Sequence, residues 1–235
     1  MTEIKDKPER VQVPSTYYWW LFGMVWTLAG MAVLGFGLVW IATDISGSAA
    51  GLVLSAGVVT RLILSIPGGS LADRFGAWPV MVTADGIMAV LALGLVLVVS
   101  LIGTPLWLLV TVSIIVGVTD ALYRPASGAF PRYLVPVEAM RSASAARQIV
   151  FQFIGIAGPA LGAAVVVALT LTGSAAAAAA GFAVMFLILL ALRNRRLPIS
   201  QPVAQVGIAS STRQGLTYAF TTPKIRAILI LLVTV

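Results

Sequence analysis

The sequence predicts an all-α integral membrane protein in which six membrane-spanning helices form a bundle, followed by the start of a seventh span. Three observations support this fold class: the composition, the length of the apolar segments and the placement of the basic residues. Of the 235 residues, 60% are hydrophobic and 10% are charged, whereas about 25% of residues are charged in soluble domains. This composition excludes a soluble globular domain and a disordered chain.

Apolar segments of the length that a bilayer requires, about 20 residues, recur along the chain. We expect a cytoplasmic tail over residues 1–16, a six-span bundle over 17–192, a cytoplasmic central loop over 193–224 and a truncated start of span 7 over 225–235. The predicted spans are 17–43, 48–72, 79–102, 105–126, 145–171 and 175–192. The last apolar segment covers only about half of a bilayer at ~1.5 Å per residue. We therefore expect the chain to be the N-terminal part of a longer protein, with a C-terminal six-helix half missing.

The basic residues lie on one side of this topology. Of the 15 Lys and Arg residues, 14 fall in the tail, in the loops after the second, fourth and sixth spans, or at the adjoining helix ends. Because cytoplasmic loops collect Lys and Arg, we expect a multi-pass plasma-membrane protein with a cytoplasmic N-terminus. Topology thus explains the net charge of +7, and we expect no nucleic-acid partner.

The sequence contains no Cys and no His. This excludes a thiol nucleophile, a Ser-His-Asp site and any metal site with Cys or His ligands. No catalytic motif is visible, and the few acidic residues are scattered over the chain. We therefore expect no enzyme activity, no metal and no cofactor.

A polar turn with glycines on either side of an Asp-Arg pair links the second and third predicted spans. It reads Gly69-Ser-Leu-Ala-Asp73-Arg74-Phe-Gly76. Gly69 would allow close helix approach, and Gly76 would allow a tight turn. Asp73 would pair with a basic residue or cap the positive N-terminus of a neighbouring helix. The alternative interpretation is an ordinary polar turn.

This string resembles the signature loop of the major facilitator superfamily, whose members are twelve-span secondary transporters made of two six-helix halves. The resemblance implies that Asp73 latches the two halves on the cytoplasmic side and gates alternating access, while Gly69, Arg74 and Gly76 shape the turn. The two residues after Gly76 are uncharged, whereas the family usually has basic residues there. We therefore expect a reduced latch network.

The fifth predicted span contains Gly158-Pro159-x-x-Gly162. A proline bends a membrane helix and glycines allow tight packing, so packing alone is one interpretation. The segment also resembles the span-5 motif of drug exporters in the same superfamily, although Ala163 replaces the last Gly of that motif. The succession of motifs along the chain resembles the branch that contains the enterobactin exporter and macrolide-efflux proteins.

Two charged residues are predicted deep inside spans, Arg61 in the second and Asp120 in the fourth. Both lie about 20 Å from the outer ends of their helices at helical rise. A charge at this depth costs a few kcal/mol unless it is paired or wet. They would pair with each other or face a shared cavity, or Asp120 would instead pair with Arg124 one turn later. The alternative is a role in proton coupling or substrate contact.

Other polar residues are assigned by position alone. Thr27, Tyr123 and Gln152 are candidate polar groups of a cavity, with exposed helix ends as an equal alternative. Asp85 and Arg147 lie near the cytoplasmic ends of their predicted spans. We expect both to be solvated or to belong to the loop network.

Together these features predict a secondary active transporter that exports an amphipathic small molecule, such as a drug or a siderophore, and uses the proton gradient as its energy source. Uptake of a metabolite by the same fold is one alternative, and a non-transporting membrane scaffold or sensor is another. The expected partners are a small-molecule substrate, the lipid bilayer and the missing C-terminal half.

Overall fold

The computed structural model describes residues 13–194, and this part of the chain is helical without a strand. Most of the predicted tail, nearly all of the central loop and the start of span 7 lie outside the described residues. Four helices come first: α1 (Ser15–Ile45), α2 (Gly47–Phe75), α3 (Ala77–Ile102) and α4 (Leu106–Ala129). Two short 3-10 helices, Phe130–Tyr133 and Val137–Ala139, then lead into a helical run over Met140–Ala191.

This helical run is broken at Thr170, whose backbone has φ 59° and ψ −171°. The break divides the run into α5 (residues 140–169) and α6 (residues 171–191). A positive φ is a strained conformation for a β-branched residue, and the Ser174 hydroxyl donates to the Thr170 carbonyl at 2.9 Å. The described part is therefore a six-helix bundle, as predicted, although one residue makes the turn that was expected over residues 172–174.

Short links reverse the chain between successive helices. The Ser46 hydroxyl caps α2 by accepting a hydrogen bond from the backbone N–H of Ala49 at 3.0 Å. Gly76 ends α2 with φ 88°, and Gly103 ends α3 with φ 75°. Glycine adopts these backbone angles without the steric cost that a side chain would add. Consecutive helices therefore run antiparallel.

The antiparallel order gives the bundle two ends that differ in charge. The end formed by the α2–α3 and α4–α5 links carries Arg74, Arg132 and Arg141, and we call it the basic end. The opposite end is formed by the α1–α2 and α3–α4 links and by the break at Thr170. Within the described residues, those links carry no Lys or Arg.

The buried side chains form two clusters, one toward each end of the bundle. Large members of the cluster at the basic end are Tyr17, Trp20, Met81, Tyr123 and Phe130. Large members of the cluster at the opposite end are Leu34, Leu38, Met88, Leu109 and Phe182. Each cluster draws residues from several helices, so burial of apolar surface holds the bundle together along its length.

Glycines allow close contacts between helices. A Cβ atom at Gly117 of α4 would lie 2.5 Å from the Gly57 carbonyl oxygen of α2, and one at Gly181 of α6 would lie 2.7 Å from the Trp26 carbonyl oxygen of α1. Small residues at these places let the two backbones approach closely.

Only four residues of α2 are buried, so most of this helix faces away from the bundle.

Candidate functional site

A partly open cavity of about 730 Å³ is lined by residues of α1, α2, α4 and α5. Part of its wall is apolar and includes Leu28, Met31, Val39, Leu54 and Val58. Another part is charged and consists of Arg61, Asp120, Arg124 and Arg147. An apolar wall with a few convergent polar groups is the usual lining of a small-molecule site.

Asp120 is the centre of the charged part of the cavity. Its carboxylate accepts hydrogen bonds from Arg124 Nε at 2.8 and 2.9 Å and from Arg61 Nη1 at 3.3 Å. The Asp120 side chain is 7% exposed, against 38% for Arg61 and 49% for Arg124. The two pairings that the sequence predicted as alternatives are therefore both present, and one carboxylate is shared by two arginines.

Arg147 lies on α5 at the wall of the same cavity. Among residues 13–194 it makes no ion pair with a carboxylate. Its guanidinium carbon lies 5.2 Å from the centre of the Phe151 ring, and that of Arg124 lies 5.8 Å from the same ring. Both distances fit a cation–π contact. The expected surface position of Arg147 is corrected, because its side chain is half-buried and lines the cavity.

Of the three candidate cavity residues, only Gln152 lines the cavity, together with Gln148. Thr27 and Tyr123 are 0% exposed inside the bundle, so the prediction that they face a cavity is wrong. Tyr123 comes directly before Arg124, and each residue turns an α-helix by about 100°. The two side chains therefore point to different sides of α4.

A second polar cluster is buried inside the bundle. Asp85 on α3 is 1% exposed and accepts a hydrogen bond from the Thr27 hydroxyl of α1 at 2.8 Å. The Asp85 Oδ2 atom and the Tyr123 hydroxyl have no hydrogen-bond partner in the described part of the chain. The expectation that Asp85 is solvated is wrong, because α3 turns it to the core with its neighbours Met81, Ala84 and Met88.

The loop between α2 and α3 lies at the basic end. Asp73 and Arg74 are exposed, and the Arg74 guanidinium carbon lies 5.5 Å from the centre of the Phe75 ring. Asp73 forms no ion pair with another residue of the described range. The tight turn predicted at Gly76 is confirmed by its φ of 88°.

The close helix approach predicted at Gly69 occurs one residue earlier. A Cβ atom at Gly68 would collide with the Ala121 carbonyl oxygen of α4, whereas one at Gly69 would lie 4.0 Å from Pro125 Cβ, an ordinary contact. A shift of one residue changes the side of a helix by about 100°. The sequence shows two adjacent glycines but not which of them faces α4.

The motif on α5 packs against α1. A Cβ atom at Gly158 would lie 2.8 Å from Ala32 Cβ, and one at Gly162 would lie 2.6 Å from Phe36 Cβ. Pro159 lines the cavity. The packing interpretation of this motif is therefore confirmed, and the motif also contributes to the cavity wall.

Helical spacing along α5 is a sequence signal for further residues of the cavity wall. Arg147, Phe151, Gly155 and Pro159 all line the cavity and follow each other at intervals of four residues. Residues at this spacing share one face of a helix.

Within the described range, no group of three or more acidic side chains is close enough to hold a metal ion.

A protein-family model described as Major Facilitator Superfamily matches residues 20–235, nearly the whole chain. This is the family that the loop between α2 and α3 resembles. No curated protein and no solved structure matches the chain.

Proposed function

This chain belongs to the major facilitator superfamily, and from that premise we propose that its bundle takes part in proton-driven export of an amphipathic small molecule, such as a drug or a siderophore. Members of this family are secondary transporters and not enzymes. The apolar helices and the family together make the chain a multi-pass membrane protein. The direction, the coupling ion and the substrate class belong to the proposal.

The observation that carries the proposal is the cavity lined by α1, α2, α4 and α5. Its apolar wall suits the apolar part of a substrate, and its charged part suits a polar group. Arg61 lies 14 residues from either end of the 29-residue α2, so it is at mid-depth in a spanning helix. Ionisable residues at this depth are typical of substrate and ion pathways.

Export is supported by the motif on α5. Gly158-Pro159-x-x-Gly162 resembles the span-5 motif of exporters, and Pro159 lies at the cavity wall. The likeness of the whole succession of motifs to the branch of the enterobactin exporter and the macrolide-efflux proteins points in the same direction.

We further propose that a second six-helix bundle covers the open side of the cavity. Most of α2 faces away from the described bundle, and Leu54 and Val58, which line the cavity, are 55% and 36% exposed. Transporters of this type alternate access by rocking one bundle against another around a site at mid-membrane. Asp73, exposed at the basic end, would latch the second bundle. By the positive-inside rule, that end and the N-terminus face the cytoplasm of a plasma-membrane protein.

Asp120 is the proposed proton-coupling residue. It is the one acid among the described residues that line the cavity. Protonation of its carboxylate would weaken the ion pairs to Arg61 and Arg124 together. The binding of a proton would thereby change the charge that the cavity presents to a substrate.

Asp120→Asn tests this role, since it removes the charge and nearly keeps the size of the side chain. Inside-out vesicles that contain this chain together with the proposed second bundle, and that have an acidic interior, are given a panel of amphipathic compounds, with and without a protonophore. We expect the wild type to accumulate at least one compound in a protonophore-sensitive way and the variant to lose that part of the flux. Asp44→Asn, at an exposed position of the opposite end, is the matched control and should behave as the wild type.

Two outcomes of this assay would contradict the proposal. Unchanged proton-driven flux in the Asp120→Asn vesicles would remove Asp120 from the coupling mechanism. Absence of flux for the whole panel in wild-type vesicles would contradict export itself.

Uptake is the second candidate function, and the shared carboxylate of Asp120 favours it. Protonation of Asp120 would free Arg61 and Arg124 for an anion, so a proton and an anionic substrate would bind together. An inward proton gradient would then drive both into the cell. The same vesicles separate the two functions, since an exporter accumulates substrate in an acidic interior and a proton symporter depletes it.

A further inference from the structure

We infer that the ligand of the cavity is an amphipathic organic anion, with its charged group bound between Arg124 and Arg147 and its apolar part against α1 and α2. The inference rests on the proposed function in taking the cavity as the substrate site. It holds for either direction of transport.

The cavity carries an excess of positive charge. Its described lining contains Arg61, Arg124 and Arg147 but a single carboxylate, that of Asp120, which leaves an excess of two positive charges. Asp120 is already shared by Arg61 and Arg124, and Arg147 has no carboxylate partner within residues 13–194. An uncompensated charge beside apolar side chains is costly, and a bound anion would compensate it.

The guanidinium groups of Arg124 and Arg147 lie in the same part of the cavity. Arg124 and Arg147 lie against the same Phe151 ring, at 5.8 and 5.2 Å from its centre. They therefore converge on one part of the cavity from different helices. A planar guanidinium binds carboxylate and phosphate oxygens through two parallel hydrogen bonds. Gln148 and Gln152 of the same wall add amide donors.

The remaining wall of the cavity includes a large apolar part. Leu28 and Met31 of α1 and Leu54 and Val58 of α2 line the cavity. A small inorganic anion would leave this surface wet, whereas an anion with a hydrocarbon part would cover it. The volume of about 730 Å³ lies within the range of about 300–1,000 Å³ of sites for drug-sized ligands. A cationic amphiphile would fit the wall but would be repelled by the excess positive charge.

A matched pair of probes tests the sign of the ligand charge. Octanoate and octylammonium have similar chains and opposite charges, and their binding to the purified protein in a non-ionic detergent is measured by titration calorimetry below their micellar concentrations. We expect saturable binding of octanoate with an affinity at least about tenfold above that of octylammonium. Equal affinities, or no saturable binding of octanoate, would overturn the inference.

Arg147→Gln tests the position of the site. The change removes the cation that has no carboxylate partner in the described range, and we expect octanoate to bind about tenfold more weakly. Arg147→Lys keeps the charge without the planar fork and should recover part of the affinity. Arg141→Gln is the matched control, since Arg141 is exposed on the same helix and does not line the cavity.

Each variant is first compared with the wild type by far-UV circular dichroism and thermal unfolding, so that lost binding is not mistaken for lost folding. If Arg147→Gln folds and binds octanoate as Arg141→Gln does, the inference is wrong. If Arg147→Gln does not fold, Arg147→Met, which also removes the charge and keeps a long side chain, provides the same comparison.

A soluble organic acid and an anionic phospholipid share the chemistry of this ligand. Phosphatidylglycerol and phosphatidylcholine are therefore added separately to the micelles at equal low fractions. Displacement of octanoate by phosphatidylglycerol alone assigns the site to a lipid, and no displacement by either assigns it to a soluble acid. Both results support an anion site, whereas equal displacement by both lipids shows recognition of the chain alone and overturns it.

The vesicle assay tests the transport proposal and the binding assay tests the anion site, so either proposal can be rejected while the other is kept. Proton-driven flux of a cationic or neutral compound without octanoate binding would keep the proposed function and reject the anion. Octanoate binding that depends on Arg147, without flux of any compound, would keep the anion site and reject the transport proposal.

Discussion

Asp85 is a carboxyl group inside the bundle with one hydrogen bond, donated by the Thr27 hydroxyl at 2.8 Å. The two residues lie on α3 and α1, so this bond joins two helices as well as satisfying a buried oxygen. A buried polar group that loses its partner costs about 1–3 kcal/mol. The bond is therefore expected to contribute to the stability of the bundle.

Thr27→Val keeps the shape of the side chain and removes the donor. We expect the free energy of unfolding to fall by about 1–3 kcal/mol, measured by denaturant titration in detergent micelles. Thr111→Val is the matched control, because Thr111 is exposed and its hydroxyl donates to the Trp107 carbonyl of its own helix. That change should cost less than about 0.5 kcal/mol. Equal losses in the two variants would contradict the role given to the Thr27–Asp85 bond.

The sequence predicted the positions of some polar residues correctly and those of others wrongly. Arg61 and Asp120 are visible because a charge inside a long apolar segment stands out without knowledge of the fold. The burial of Thr27, Asp85 and Tyr123 depends on which side of each helix faces the core. Helices that are apolar on nearly all sides show no periodicity that reveals that side.

At the scale of the helices, the predicted spans agree with the structure to within a few residues at most ends. The bilayer sets the length of an apolar segment, and that length can be read directly from the sequence. The exception is α5, which begins at Met140 and not at the predicted 145. Its first turn carries polar residues, among them Arg141 and Ser142, so it lies before the apolar segment.

Close contact between α2 and α4 depends on Gly117. A Cβ atom there would lie 2.5 Å from the Gly57 carbonyl oxygen, so Gly117→Ala requires the two backbones to separate. We expect a loss of about 1–3 kcal/mol in the free energy of unfolding, measured by denaturant titration. Gly94→Ala on α3 is the matched control, because no atom lies within 4 Å of its added Cβ. Alanine is the better helix former, so this control should be neutral or stabilising, and an equal loss at both sites would refute the packing argument.

For the whole molecule, two features were predictable: the family, and the alternating direction of successive helices. Both depend on patterns spread over the full length of the sequence. A cavity shared by Arg61 and Asp120 was one of the alternatives that the sequence left open. Its full lining was not predictable, since it comes from four helices whose rotation only the structure gives. The basic residues of the bundle likewise fall into two groups, one that the sequence explains and one that only the structure explains. Topology explains the basic end, whereas Arg61, Arg124 and Arg147 line the cavity.

The central claim made here for the molecule is that the cavity is a water-filled part of the transport path. These 235 residues contain no Cys, so a single introduced Cys reports on one position of this chain. Val58→Cys lies at the cavity wall, and Val90→Cys lies on α3, 72% exposed and outside the described cavity lining. Maleimides react with the thiolate, which forms in water far more readily than in lipid.

The measurement is the rate of N-ethylmaleimide labelling of each variant in membranes, together with proton-driven flux before and after labelling. We predict labelling at Val58→Cys at least about tenfold faster than at Val90→Cys, with flux blocked only in the labelled Val58→Cys protein. Equal labelling rates at the two positions, or full flux after complete labelling of Val58→Cys, would contradict a substrate path through this cavity.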